Sequence, residues 1–134
     1  MTAPIPIGPT LNQIGQVFVN VKDLDRAIAF YRDILGMKFL FTAPPGMAFF
    51  DCGGIRIMLG VADRPELNHA ASVIYYKVDD IQKVYEVFDA RGVEFIIKPH
   101  LVAQMPTYDL WLADFRDSEG NILALMSEVP KEVA

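Results

Sequence analysis

Two histidines, one cysteine and a few amides set in apolar runs carry most of the chemical potential of this 134-residue chain. His100, in 98-KPHLVAQ-104, is the plausible near-neutral acid/base of the C-terminal half, because an unperturbed imidazole titrates close to pH 7. With Asp109, Tyr108 or Gln16 in reach it would shuttle a proton; the competing reading is a hydrogen-bonded structural histidine. His69 lies in the polar segment 61-VADRPELNHAA-71 and is expected in solvent. Cys52 follows Phe49, Phe50 and Asp51 in a strand-like run and reads as a small buried hydrophobe rather than a nucleophile. A single cysteine forms neither an internal disulfide nor a thiolate metal cluster. Gln16 and Asn20 stand in the apolar run 14-IGQVFVNVKD-23, where an amide satisfies a core hydrogen bond, faces solvent or lines a site.

The bulk numbers limit the partners. Hydrophobic residues make up 52% and charged residues 22% of the chain, enough apolar surface for a sizeable core in one domain or two small modules sharing one. The net charge of −5 argues against nucleic acid, which requires a basic face. No apolar run approaches the roughly 18 residues of a membrane span. The opening MTAPIPIGPT lacks the basic and apolar regions of a secretory signal, and its prolines suggest an extended arm over residues 1–13. A cytoplasmic location follows by default.

The elements that must position these residues emerge from an internal repeat. Setting 17-VFVNVKDLDRAIAFY-31 on 74-IYYKVDDIQKVYEVF-88 pairs Val21 with Val78, Asp23 with Asp80, Leu24 with Ile81, Ala27 with Val84 and Tyr31 with Phe88. Each segment is a strand, a capping Asp and a helix with one apolar stripe. Gly36 and Gly92 stand where left-handed helix ends are expected. Three strands follow each helix: 38–43, 47–52 and 55–60, then 94–98, 108–115 and 121–128. His100 should therefore close the sixth strand. The expectation is an α+β fold of two tandem βαβββ modules, module one at 14–60, a linker at 61–71, module two at 72–128, and a tail at 129–134.

With NVKDLDRAIAFYRDILGM in one half and FRDSEGNILALM in the other, the chain resembles the vicinal oxygen chelate superfamily, which includes glyoxalase I, extradiol dioxygenases and bleomycin-resistance proteins. The likeness spans about residues 14–128 and rests on Asp23, Ala27, Phe30, Tyr31, Leu35 and Gly36, then Asp117, Gly120 and Asn121. Ser118 replaces a proline common in the family. The resemblance implies a curved, cup-like mixed sheet with helices outside, and a homodimer. It places metal ligands, where a member has them, on the first and fourth strand of each module. Here those positions hold Gln16, Met58, Val73 and Ala124, so three of four donors are missing. No metal site and no cofactor are expected, with an unconventional divalent site left open.

Strand alternation then assigns the cup. Gln16, Phe18 and Asn20 face it from the first strand, with Val73, Tyr75 and Lys77 opposite, and Arg56, Met58, Ala124 and Met126 from the fourth strands. Trp111 and Phe115 are expected to add aromatic lining. The residues expected to touch a ligand are Phe18, Asn20, Arg56, Met58, Tyr75, Lys77, Trp111, Ala124 and Met126. Two functions compete. One is a binding protein for a small apolar or aromatic, including anionic, ligand. The other is a glyoxalase-like lyase or isomerase acting on a small carbonyl compound, with His100 as acid/base and Gln16 orienting an oxygen. Glyoxalase I chemistry itself needs a metal to stabilise an enediolate and is not expected. A purely structural domain is a third possibility.

Overall fold

Asp23 and Asp80 begin the two helices as capping residues. Their carboxylates accept from the backbone N–H of Arg26 and of Lys83, each at 3.1 Å, relieving orphan donors of the first turn. In this computed structural model, which describes residue 9 and residues 11–132, α1 spans Leu24–Ala29 and continues as a π-helical turn, Phe30–Ile34. Helix α2 spans Ile81–Ala90. Gly36 and Gly92 follow with φ of 73° and 87°, the left-handed ends the sequence called for. Most of the expected N-terminal arm lies outside the described residues.

Each module contributes one four-stranded sheet. Strands β1 (Gln16–Asn20), β2 (Lys38–Ala43), β3 (Met47–Cys52) and β4 (Ile55–Gly60) form the first, in the order β1-β4-β3-β2. Strands β5 (Ile74–Lys77), β6 (Glu94–Gln104), β7 (Tyr108–Arg116) and β8 (Ile122–Pro130) form the second, in the order β5-β8-β7-β6. In both sheets the first strand runs parallel to the fourth and the other pairs are antiparallel. The repeat is thus a repeat of topology. Three strands outrun their expected lengths: β6 continues past Pro99, so His100 lies within it, β7 takes in Arg116, and β8 takes in Val129 and Pro130 from the expected tail.

One face of each sheet packs with its helix into a core shared by the modules. Val19, Val21, Phe50, Ile57 and Leu59 supply the first sheet's side, and Ala113, Phe115, Leu123 and Leu125 the second's. Burial of such side chains stabilises by roughly 1.5–3 kcal/mol each. A polar seam fixes the modules to one another. The Tyr31 hydroxyl donates to Asp117 Oδ2 at 2.7 Å, while Asp117 Oδ1 accepts from the backbone N–H of Glu119 and of Asn121 at 2.8 Å. Glu119 accepts from the N–H of Lys22 and of Asp23, each at 2.8 Å, and from Arg26 Nε at 2.7 Å. Asn121 Nδ2 donates to the carbonyl of Asn20 at 2.9 Å.

Candidate functional site

The remaining face of each sheet, turned away from the shared core, carries most of the expected site. Because Val17, Val19 and Val21 pack toward the core, alternation turns Gln16, Phe18 and Asn20 to the outer face. Ile57 and Leu59 do the same for Arg56, Met58 and Gly60, and the parallel register sets Phe18 beside Met58. Gly60 is required by its neighbour: a Cβ there would lie 2.9 Å from the Phe18 ring. Phe18, Met47, Met58 and Gly60, with Val61 and Leu67 of the linker, line an outer hollow of about 610 Å³. Phe41 stacks on Phe49 at 4.8 Å, and the Arg56 guanidinium lies 5.7 Å from the Phe49 ring centre. That geometry suits a cation over an aromatic face.

A β-bulge in β2 makes this aromatic step. Phe39 pairs with Phe50 and faces the core, yet Phe41, two residues on, pairs with outward-facing Phe49. Without a bulge both phenylalanines would share a face. Sequence alternation had no signal for this shift, and Phe41 and Phe49 were not among the expected ligand contacts.

On the second sheet Tyr75, Lys77, Ala124 and Met126 share the outer face, since Tyr75 is in register with Ala124 and Lys77 with Met126. Tyr75 is 52% exposed, whereas Ala124 is fully buried under its neighbours. Lys77 is tied to Glu128 at 2.8 Å. His100 pairs with Leu112, and Leu112 with Met126, so the imidazole stands on the same face. Asp114, paired with Ala124, joins them and was not singled out from the sequence. His100 Nδ1 lies 3.0 Å from the carbonyl of Lys98. A carbonyl only accepts, so Nδ1 is the donor of this contact, and Nε2 has no hydrogen-bond partner among the described residues.

Several expectations are corrected. Trp111 packs against the shared core and lies near Ile81 and Gln82, not on the outer face. Phe115 is 1% exposed in that core. Both belong to the opposite parity of β7 from Leu112 and Asp114. Asp109 shares that parity, and its carboxylate lies 3.7 Å from Lys131 Nζ, away from His100. The Asn20 amide donates to the carbonyl of His69 at 3.1 Å, so it clamps the linker. His69 accordingly serves that linker through its backbone. The two sets expected to face each other across one cup lie on separate sheets, and the hollow beside Phe18 and Met58 is completed by the linker rather than by Tyr75 or Met126. Burial, followed by the Asp51 charge, raises the Cys52 thiol pKa, which leaves it a weak nucleophile.

The four positions at which the resemblance puts metal donors hold an amide, a thioether and two hydrocarbon side chains. Gln16 Nε2 points its N–H at Met58 Sδ, 3.6 Å away. Zinc and nickel need imidazole, carboxylate or thiolate donors. These residues do not fit such an ion.

Paired βαβββ modules, each a mixed sheet with one helix-covered face, define a glyoxalase-type fold. The chain belongs to the Glyoxalase/Bleomycin resistance protein/Dioxygenase superfamily, whose family model matches residues 13–125. A relative in Bacillus subtilis (strain 168), the uncharacterized protein YraH, is 26% identical over 82% of this chain and 94% of its own. Metallothiol transferase FosB of Lysinibacillus sphaericus (strain C3-41) is 28% identical over 58% of this chain and 57% of its own. Among solved structures, lactoylglutathione lyase from Agrobacterium tumefaciens superposes with a TM-score of 0.70 at 23% identity, covering 88% of this chain and 95% of that one. At that identity the likeness speaks for the fold.

Proposed function

We propose that this protein binds a small apolar or aromatic ligand, anionic ones included, on its outer sheet faces without a resident metal. The observation that carries the reading is the hollow of about 610 Å³ at Phe18, Met47, Met58 and Gly60, flanked by the Arg56–Phe49–Phe41 stack. Its volume lies in the range of ligand pockets, roughly 300–1,000 Å³, with an apolar lining and few polar groups. A planar ring would add to the aromatic step, and the exposed Arg56 would meet a carboxylate.

A homodimer is part of the same reading. Val73, Tyr75, Ile97 and Ile122 are 37–52% exposed, and all are outer-face residues by register or alternation. A second copy laying its first sheet over this second sheet would cover them and bring Gln16, Phe18 and Met58 opposite Tyr75, Ala124 and Met126. The cup would then belong to two chains. Sedimentation of the intact protein should give twice the chain mass, and Tyr75→Asp should lower it toward one.

The alternative, a lyase or isomerase on a small carbonyl compound, is favoured by one detail. His100 presents a free Nε2 on the same face as Asp114, so it could take a proton from a bound substrate. Binding of aromatic carboxylates unaffected by His100→Ala, with no turnover, supports a binding protein; turnover lost in that variant supports the enzyme. A full set of aromatic and anionic compounds that fails to raise the melting temperature would contradict both, since a ligand specific for the native state stabilises it.

A further inference from the structure

The linker between the modules walls two hollows. Its residues 61–64 and Leu67 close the outer one. Asn68, His69 and Ala70, with Asn20, Lys22 and the 119–121 turn, line another of about 340 Å³. In this second hollow most acceptors are spent and several donors are not. Its one carboxylate, Glu119, has a fully buried side chain. That carboxylate accepts from the Lys22 and Asp23 backbone, from Arg26 and from Ser118. Asn121 Oδ1 accepts from the Ala71 N–H at 3.3 Å, and Asn68 Oδ1 from Asn20 Nδ2 at 3.4 Å, which leaves Asn20 Oδ1 as the unspent amide oxygen. On the donor side, the exposed Lys22 ammonium forms no ion pair among the described residues. Asn68 Nδ2 has no partner there either. His69 Nδ1 lies 2.8 Å from the Ala70 carbonyl, and Nε2 is unpartnered among the described residues.

We propose that this hollow binds one small tetrahedral oxyanion, phosphate or the phosphate group of a monoester. The unspent groups select the sign: a cation and two N–H donors, against a carboxylate already neutralised by Arg26. Lys22 supplies a compact positive charge, and Asn68 Nδ2 and His69 Nε2 donate to the remaining oxygens. An anion beside the imidazole favours its charged form, so the ring holds a second proton and Nε2 donates. These donors stand on two elements, the end of β1 and the linker, which suits acceptor oxygens pointing several ways better than a planar carboxylate. The net charge of −5 repels an extended polyanion, so a single phosphate fits where a nucleic acid does not. An occupant would tie β1 to the linker beside the Asn20 clamp. This site does not depend on the outer-face reading, and either can exist without the other.

The probes are inorganic phosphate and glycerol 3-phosphate, titrated into the full chain with sodium chloride holding the ionic strength constant. The readout is the amide NMR spectrum. Signals of Lys22, Asn68, His69 and Gly120 should shift and saturate at millimolar phosphate or ester. Tighter binding of the ester supports a monoester as the source, and tighter binding of phosphate supports the free anion. Lys22→Ala should weaken either about fivefold, the upper end for an exposed ion pair. Its backbone N–H stays with Glu119, so the fold is retained. Asn68→Ala should weaken both as well, whereas Lys83→Ala, which removes the same charge from α2, should change neither. Shifts that rise without saturating overturn the proposal. So does acetate binding as tightly as phosphate, or phosphate binding that survives Lys22→Ala undiminished.

Discussion

The seam between the modules and the outer sheet faces use polar chemistry in opposite ways. At the seam, Asp117, Glu119 and Asn121 are 6–8% exposed and spend their oxygens and amides on named partners in the other module or in their own turn. On the outer faces the lining is apolar around Phe18 and Met58, and the charged groups stand at exposed positions. The contrast shows which part of the family architecture this chain invests in. Its buried carboxylates hold two modules together; none occupies the positions where the resemblance would put metal donors.

Removing Glu119 should expose that contrast most strongly. Glu119→Ala strands two backbone N–H groups and the Arg26 guanidinium, and should cost roughly 3 kcal/mol in urea unfolding. The equivalent truncation outside, Met58→Ala, should reduce ligand binding while costing less stability. Acid tests the same group without mutation. Burial alone would raise the Glu119 pKa, but the Arg26 side chain, the Asp23 amide, the Ser118 hydroxyl and the Lys22 amide together lower it to about 2 from 4.5. A carboxylate depressed in the folded state stabilises fully above its unfolded pKa and loses that contribution as pH falls. Stability should therefore drop between pH 4.5 and 2, by on the order of 1–2 kcal/mol after allowing for the exposure of Arg26. In Glu119→Gln this component of the acid dependence should be absent. Tyr31→Phe, which leaves Asp117 Oδ2 its contact with Asn121, should cost about 1 kcal/mol by the same urea measurement.

On the outer face the expected effects are on binding. Gly60→Ala pushes on the Phe18 ring, so it should weaken aromatic ligands several-fold in a fluorescence or calorimetric titration, with little change in the urea midpoint. If stability falls as far as in Glu119→Ala, the outer face is structural and the contrast fails.

Much of the fold could be read from the chain because its signals are local. The capping aspartates, the glycines after each helix and the alternation in β1, β4 and β8 depend on near neighbours, and those strands present Gln16, Phe18, Met58 and Met126 to the expected face. What escaped depends on register and on distant partners. A bulge turns Phe41 to the outer face against simple alternation, and Trp111, expected among the aromatic lining, lies on the core-facing parity of β7 that it shares with Ala113 and Phe115. Glu119 gave no sign because its partners, Lys22, Asp23 and Arg26, are more than ninety positions away. The 118-SEG-120 turn reads as solvent-facing until module one is laid against it.

Metal content tests the central claim most directly. Protein stripped with chelator, then equilibrated with Zn²⁺, Ni²⁺, Mn²⁺ or Fe²⁺ and desalted, should retain no stoichiometric ion and show the same binding of an aromatic carboxylate as before. One ion per chain, lost in Gln16→Ala together with ligand binding, would contradict the account.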